Sequence, residues 1–390
     1  GEISHDNSIP GCAAMSRLDE VMQFAILKGQ ELGAEWHYGE RALKLTTDES
    51  GAVTGAISQK LDDETYVQYN AKTGVILCLG DYAGDNKMVW NLNADISEFN
   101  ARQGLTQDDL FSPFADCTGD GQKMACWVGG VMEPTPRASM NTGGGGGGPW
   151  GTCPYLFLNA NGERFCNEAN AVGITEATLL QPAGIVTTVT DANYYETLKN
   201  AGLDHGAPNY GRPVYYEELV ADMEAIELEN PEGGAVRCCT IAERNPSTVY
   251  ASETLEGALK LAGYEGDALQ TALDQVAKYN ELCATGKDSQ YGKDGKYMVP
   301  VDTPPFYAAP SSNSKTTSAG LVTLAGVETN NNLQVIDVAG NVIPGLYAAG
   351  NCLGERYGNS YATPFAGNSI GMAMTHGRVA GKIITGQEVL

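Results

Sequence analysis

Gly345-Leu-Tyr-Ala-Ala-Gly350, running on to Ala366-Gly-Asn-Ser-Ile-Gly371 and Gly377-Arg-Val-Ala-Gly381, decides the fold. It reads as a buried strand, a glycine turn, a loop, and a helix that opens with small residues. Small side chains there let the backbone approach a flat polar ligand, and the free N–H groups of a helix start face negative charge. The stretch predicts a nucleotide-cofactor site. A plain strand–loop–helix unit would need fewer glycines.

Working outward, Lys72-Thr-Gly-Val-Ile-Leu-Cys-Leu-Gly80 is an apolar run ending in glycine, as in a central parallel strand that leads into a turn near such a site. Thr118-Gly-Asp-Gly121 opens a helix over 122–128. A hairpin is expected over 41–58, turning at Asp48-Glu-Ser-Gly51, with a further strand over 65–69. Over 16–32 the spacing of Leu18, Val21, Met22, Phe24, Ala25 and Leu32 predicts an amphipathic helix with one buried stripe. The six glycines at 143–148 read either as a mobile loop or as a loop whose amides reach a ligand. Beyond them, Leu156-Phe-Leu-Asn-Ala-Asn-Gly-Glu-Arg-Phe suggests a hairpin about Asn161-Gly162, and helices follow over 254–261 and 267–282. The earlier core texture returns at 321, so one domain is inserted within another.

The 390 residues suffice for two cores, and 42% are hydrophobic. No run of 18 apolar residues occurs, so no membrane insertion is expected, and the start lacks the pattern of a signal peptide. A net charge of -24 disfavours nucleic acid and anionic lipid as partners, and an anionic substrate would need a local basic pocket. The ten cysteines form no Cys-x-x-Cys, and no histidine stands at ligand spacing from one, so no metal is expected. They are expected as buried free thiols in a reducing or anaerobic setting, with Cys238-Cys239 as an alternative redox pair.

Taken in order, these pieces resemble the flavoprotein subunit family of fumarate reductases and succinate dehydrogenases. The resemblance is to its soluble branch, which includes ketosteroid dehydrogenases and urocanate reductases. It is carried by 43–57, 71–80, Thr118-Gly-Asp-Gly121, Asn161-Gly-Glu-Arg-Phe-Cys-Asn-Glu168, Thr254-Leu-Glu-Gly-Ala-Leu-Lys260, Tyr279-Asn280, Gly286-Lys-Asp288, Pro305-Phe-Tyr307 and 345–381. The resemblance implies an α/β fold in which a Rossmann-like FAD-binding domain (1–137 and 311–390) is interrupted by an α+β capping domain (138–310). The substrate would lie between cap and flavin. Gly80, Thr118, Asp120, Gly350, Asn351, Ala366, Gly367, Asn368, Ser369 and Ile370 would hold the FAD.

The chain departs from the family in four places. No Gly-x-Gly-x-x-Gly opens it, so the N-terminal βαβ unit is expected to be missing, as in a fragment, a processed form or half of a split protein. Asn351 stands where many members carry an acid. Tyr194 or a neighbour falls where fumarate reductases place a proton-donating arginine. The cations that clamp a dicarboxylate fall on Thr316 or Thr317 and on 361–364, so fumarate is not the expected substrate.

The resemblance therefore implies an FAD-dependent oxidoreductase that reduces an activated C=C bond of an enone or enoate. The alternatives are a ketosteroid-type dehydrogenase and a non-catalytic flavoprotein fragment or binding protein. Tyr361 and Tyr194 are the candidate acids, with core or surface roles as their alternatives. Arg356 is a candidate carbonyl-polarising cation or a surface ion-pair partner. Glu168 belongs to a proton path or is a solvated hairpin charge, and His376 is read as structural. The partners expected are a small-molecule substrate and an unidentified electron donor, in a cytoplasmic rather than an exported protein.

Overall fold

The computed structural model describes residues 18–102, 104–110, 116–140, 146–150, 153–169, 177–178, 180–201, 213–236, 246–312, 322–358 and 368–389. The described residues fall into two compact units. A middle unit takes Gly143–Ser314, and a flanking unit takes Arg17–Thr142, Lys315–Ala362 and Gly367–Leu390.

The flanking unit begins with helix α1 (Leu18–Glu31). Strands β1 (Glu40–Thr47), β2 (Val53–Lys60) and β3 (Tyr66–Asn70) then form an antiparallel meander in the order β1–β2–β3. Asp48 closes the first turn, its carboxylate accepting from the backbone N–H groups of Ser50 and Ala52. Strand β4 (Val75–Leu77) comes from the apolar run, and helix α2 (Asp120–Trp127) follows the Thr118–Gly121 turn.

The chain then builds the middle unit: β5 (Leu156–Asn159), β6 (Ile185–Thr190), helix α3 (Tyr194–Ala201), β7 (Gly234–Val236), β8 (Ser247–Ser252), helix α4 (Gly266–Thr285) and β9 (Phe306–Ser312). The five strands form one antiparallel sheet in the order β5–β6–β9–β8–β7. Trp150, Phe157, Leu198, Leu219 and Val249 are core residues of this unit, while Leu158, Val189, Leu259 and Val276 form a second cluster.

Back in the flanking unit, β10 (Gln334–Ile336) pairs antiparallel with β11 (Val342–Ala348), and helix α5 (Asn368–Ile384) closes the described chain. β11 runs parallel to β4, with Leu346 opposite Val75 and Ala348 opposite Leu77. Leu77, Met124, Val335, Leu346, Ala348 and Ala380 share the core beneath.

Four expectations are corrected here. β4 is parallel as predicted, but among the described strands it is an edge rather than a central strand. The turn at Asn161-Gly162 forms, yet no second strand returns from it among the described residues, because Arg164 leaves the sheet for a buried ion cluster. Helix α1 forms, but its stripe is not buried: Val21, Met22, Phe24 and Leu32 are exposed, Leu32 to 79%. The thiols are mixed, with Cys153 and Cys352 buried and Cys78 and Cys126 exposed; all seven described cysteines are free. Cys238 and Cys239 lie outside the described residues.

The described part of the glycine run is packed. A Cβ on Gly146 would sit 2.2 Å from Thr188 Oγ1, and one on Gly147 would sit 2.1 Å from Ala309 O. These glycines let the chain lie directly on β6 and β9. Gly143, Gly144 and Gly145 lie outside the described residues.

Candidate functional site

At the junction of β4, β11 and α5, the flanking unit opens a groove of about 280 Å³. Its walls are largely glycine and alanine, with Cys78, Asn351, Ser369 and Ile370 between them. The volume is near the lower end of ligand pockets, which span about 300–1,000 Å³. Gly350 makes the sharp exit from β11 at φ +63°. A residue with a Cβ pays about 1–2 kcal/mol in that region.

A set of side chains fixes this turn. The Gln122 amide nitrogen donates to Gly80 O at 3.0 Å and to Asn351 O at 3.2 Å, linking two walls of the groove. Gln122 is buried, and its Oε1 has no hydrogen-bond partner among the described residues. The Cys352 thiol donates to Gly80 O at 3.2 Å and accepts from Leu79 N at 3.1 Å. Burial pushes that thiol up to about 12, so it stays protonated. Ser369 Oγ donates to Asn351 Oδ1 at 3.2 Å, and His376 Nδ1 accepts from Gly350 N–H at 3.3 Å.

Of the expected cofactor residues, Gly80, Gly350, Asn351, Ser369 and Ile370 line this groove. Asn368 is the first residue of α5. Asp120, the first residue of α2, is held by Arg41 at 3.1 Å and by Thr118 Oγ1 at 3.2 Å; neither Thr118 nor Asp120 is among the lining residues. Ala366 and Gly367 lie outside the described residues, as does Tyr361.

Arg356 sits in the loop after Cys352, donating to Leu353 O at 3.0 Å and Leu324 O at 3.2 Å and stacking over the Tyr357 ring at 5.1 Å. These contacts tie the guanidinium to its own loop through Leu353 O and Tyr357 and to a separate segment through Leu324 O, which fixes it in place. Glu133 holds the same loop by accepting from Glu355 N–H.

Tyr194, the first residue of α3, is buried in the middle unit, edge-on to Tyr307 at 6.1 Å. Burial raises its phenol to about 12. Glu168 is not a solvated hairpin charge, since it is fully buried and bound twice by Arg164 at 2.8 Å. Arg164 also binds Asp288 at 2.7 and 3.1 Å and lies 5.1 Å from the ring centroids of Tyr279 and Tyr291. Lys293 completes the cluster, with Nζ 2.6 Å from Pro154 O, 3.0 Å from Tyr279 OH and 3.5 Å from Glu168. Burial lowers the Lys293 pKa. The sequence reading missed Lys293 and Gln122. Gln122 left one signal, a polar side chain on the inward face of a helix opened by a glycine turn.

The groove suits a flavin ring and its chain. Its lining has no charged side chain among the described residues, two neutral polar handles in Asn351 and Ser369, and a glycine at the bend that leaves the backbone open. A flat, uncharged, hydrogen-bonding ring matches that lining better than a metal or a free anion does.

A family model described as FAD binding domain matches residues 3–370. The chain is 26% identical over 373 residues to vinyl phenol reductase of Lactiplantibacillus plantarum, covering 91% of this chain and 69% of that protein. It is 24% identical to NADH:acrylate oxidoreductase of Vibrio harveyi, covering 88% of this chain and 29% of that protein. In fold it is similar to the 3-ketosteroid-delta4-(5alpha)-dehydrogenase of Rhodococcus jostii RHA1, with a TM-score of 0.61 at 22% identity, over 92% of this chain and 62% of that one. The match places FAD as the cofactor, as the family resemblance implied. The chain belongs to the FAD-binding domain family.

Proposed function

We propose that this protein is an FAD-dependent oxidoreductase that reduces an activated C=C bond in an enone or enoate other than a small dicarboxylate. The observation that carries the reading is the uncharged groove at the Gly350 turn, in a chain of this family and similar to a vinyl phenol reductase and an NADH:acrylate oxidoreductase. The chemistry that FAD would supply when bound is hydride exchange with carbon. The chain's own residues do the rest. Gly80, Gly350, Asn351, Ser369 and Ile370, together with Thr118, Asp120, Ala366, Gly367 and Asn368, hold the cofactor. The middle unit serves as the cap. Arg356 polarises the substrate carbonyl, and Tyr361 delivers the proton, with Tyr194 as the weaker candidate because burial makes its phenol a poor acid. Reducing equivalents come from a separate electron donor, in the cytoplasm.

A second reading, a ketosteroid-type dehydrogenase, is favoured by Asn351, whose neutral amide is tied to Ser369 where many members carry an acid. The test has two stages. The protein is mixed with FAD and freed of excess, and a retained flavin spectrum supports the cofactor site; its absence overturns the enzymatic reading. Enoates, vinyl phenols and ketosteroids are then compared as oxidants of the reduced holoprotein. Bleaching of the oxidised holoprotein by ketosteroids, with no enoate or vinyl phenol restoring the colour of the reduced form, would transfer the assignment to the second reading.

A further inference from the structure

We propose that His376 is a positioning residue of the cofactor groove, holding the Gly350 turn in shape only while its Nδ1 carries no proton, so that acid loosens the grip on bound FAD. The proposal rests on the reading of this groove as the cofactor site. It stands on geometry. Nδ1 of His376 accepts the Gly350 N–H at 3.3 Å, and Gly350 takes φ +63° where β11 turns into the groove. Ala373 and Gly377, on either side of His376 along α5, line the same groove. A proton on Nδ1 would set one N–H against another. The Gly350 amide would lose its acceptor, and the turn that presents Gly350 and Asn351 would lose its tie to α5.

The surroundings oppose that proton. Burial of the half-buried ring lowers the His376 pKa, and the Arg356 guanidinium in the loop packed beside it lowers it further. The charged neighbours on α5 itself, Arg378 and Lys382, are also cationic. The other wall residues facing the groove, Cys78, Asn351 and Ser369, are neutral side chains near neutral pH. With a folded pKa below the ordinary 6.5, the tie is complete above pH 6.5 and is lost as pH falls through the folded value.

The experiment measures the FAD dissociation constant of the whole chain between pH 8 and pH 5 by flavin fluorescence, for the native protein, His376→Asn and His376→Phe. Across this range the ring and phosphates of FAD keep their charge. Losing one neutral hydrogen bond predicts up to a roughly fivefold weakening for the native protein once the pH lies below the midpoint of its His376 ring protons. In His376→Asn the amide oxygen takes the place of Nδ1, so affinity should stay near the native high-pH value at every pH. His376→Phe should bind about fivefold more weakly at every pH, without a slope. A native profile as flat as that of His376→Asn overturns the proposal. A second readout needs no flavin: the Gly350 amide resonance should titrate with the same midpoint as the His376 ring protons. If no flavin is retained at any pH, the cofactor reading fails, and the amide titration by itself supports or overturns the role of His376 at the turn.

Discussion

Arg164 and Asp288, 124 positions apart in sequence, meet as a fully buried bidentate pair, Nη1 and Nη2 donating at 3.1 and 2.7 Å. Removing Asp288 leaves Arg164 and Lys293 to share the single Glu168 carboxylate, an excess of positive charge in the core. Asp288→Ala should therefore lower unfolding stability by about 3–5 kcal/mol, whereas a change that removes both charges should cost far less. Urea unfolding of the single and paired variants measures the difference.

The same pair should set an acid limit on stability. Burial alone would raise the Asp288 carboxyl, but bonds from Arg164 and from the backbone N–H groups of Lys293, Gln290 and Tyr291 hold it well below the usual carboxylate range. Its contribution is complete above the unfolded value of 3.8 and fades as pH drops through the lower folded one. The stability gap between native protein and Asp288→Asn should thus be widest near neutrality and shrink toward pH 2. A gap that grew on acidification would contradict this.

Gln122→Leu keeps the volume of the buried side chain but takes the donor from Gly80 O and Asn351 O. A cost of about 1–3 kcal/mol is expected, with weaker flavin retention because both carbonyls belong to groove residues. Thermal unfolding with and without FAD separates the two effects. An unchanged shift on adding FAD would show that the linkage does not shape the groove.

Gly350→Ala isolates backbone strain, because among the described residues the added methyl meets only Ala373, at an ordinary 3.6 Å. The left-handed conformation should cost about 1–2 kcal/mol, seen as a lower melting temperature and looser FAD binding.

Tyr361→Phe should leave flavin binding intact and reduce turnover of an enoate by about 10²–10⁴-fold, the scale of general acid catalysis. Turnover equal to the native protein would remove Tyr361 from the proposed mechanism.

Legibility followed interaction range. The meander, β4, α2 and α5 were readable because turn chemistry and apolar runs are local signals, and Gly350 was readable because few residues tolerate that bend. The ionic cluster was not, since Arg164 and Lys293 look like ordinary surface cations until the fold brings Asp288 and Glu168 to them. Glu168 was read as part of a strand hairpin, but the turn delivers Arg164 inward and breaks the strand. Gln122 was passed over because its partners are backbone carbonyls, which carry no sequence signal. The apolar period of α1 did predict a helix, but periodicity says only which face is apolar, not whether the fold covers it.

That open face has a practical meaning for anyone handling the protein. Phe24, Leu27 and Leu32 are 59–79% exposed on a molecule of charge -24. Long-range repulsion keeps copies apart in dilute buffer, but at 1 M salt its reach shrinks to about 3 Å and the greasy strip is free to cohere. Preparations should stay clear at low ionic strength and turn cloudy in concentrated salt, with a hydrophobic dye lighting up on α1 well before any unfolding.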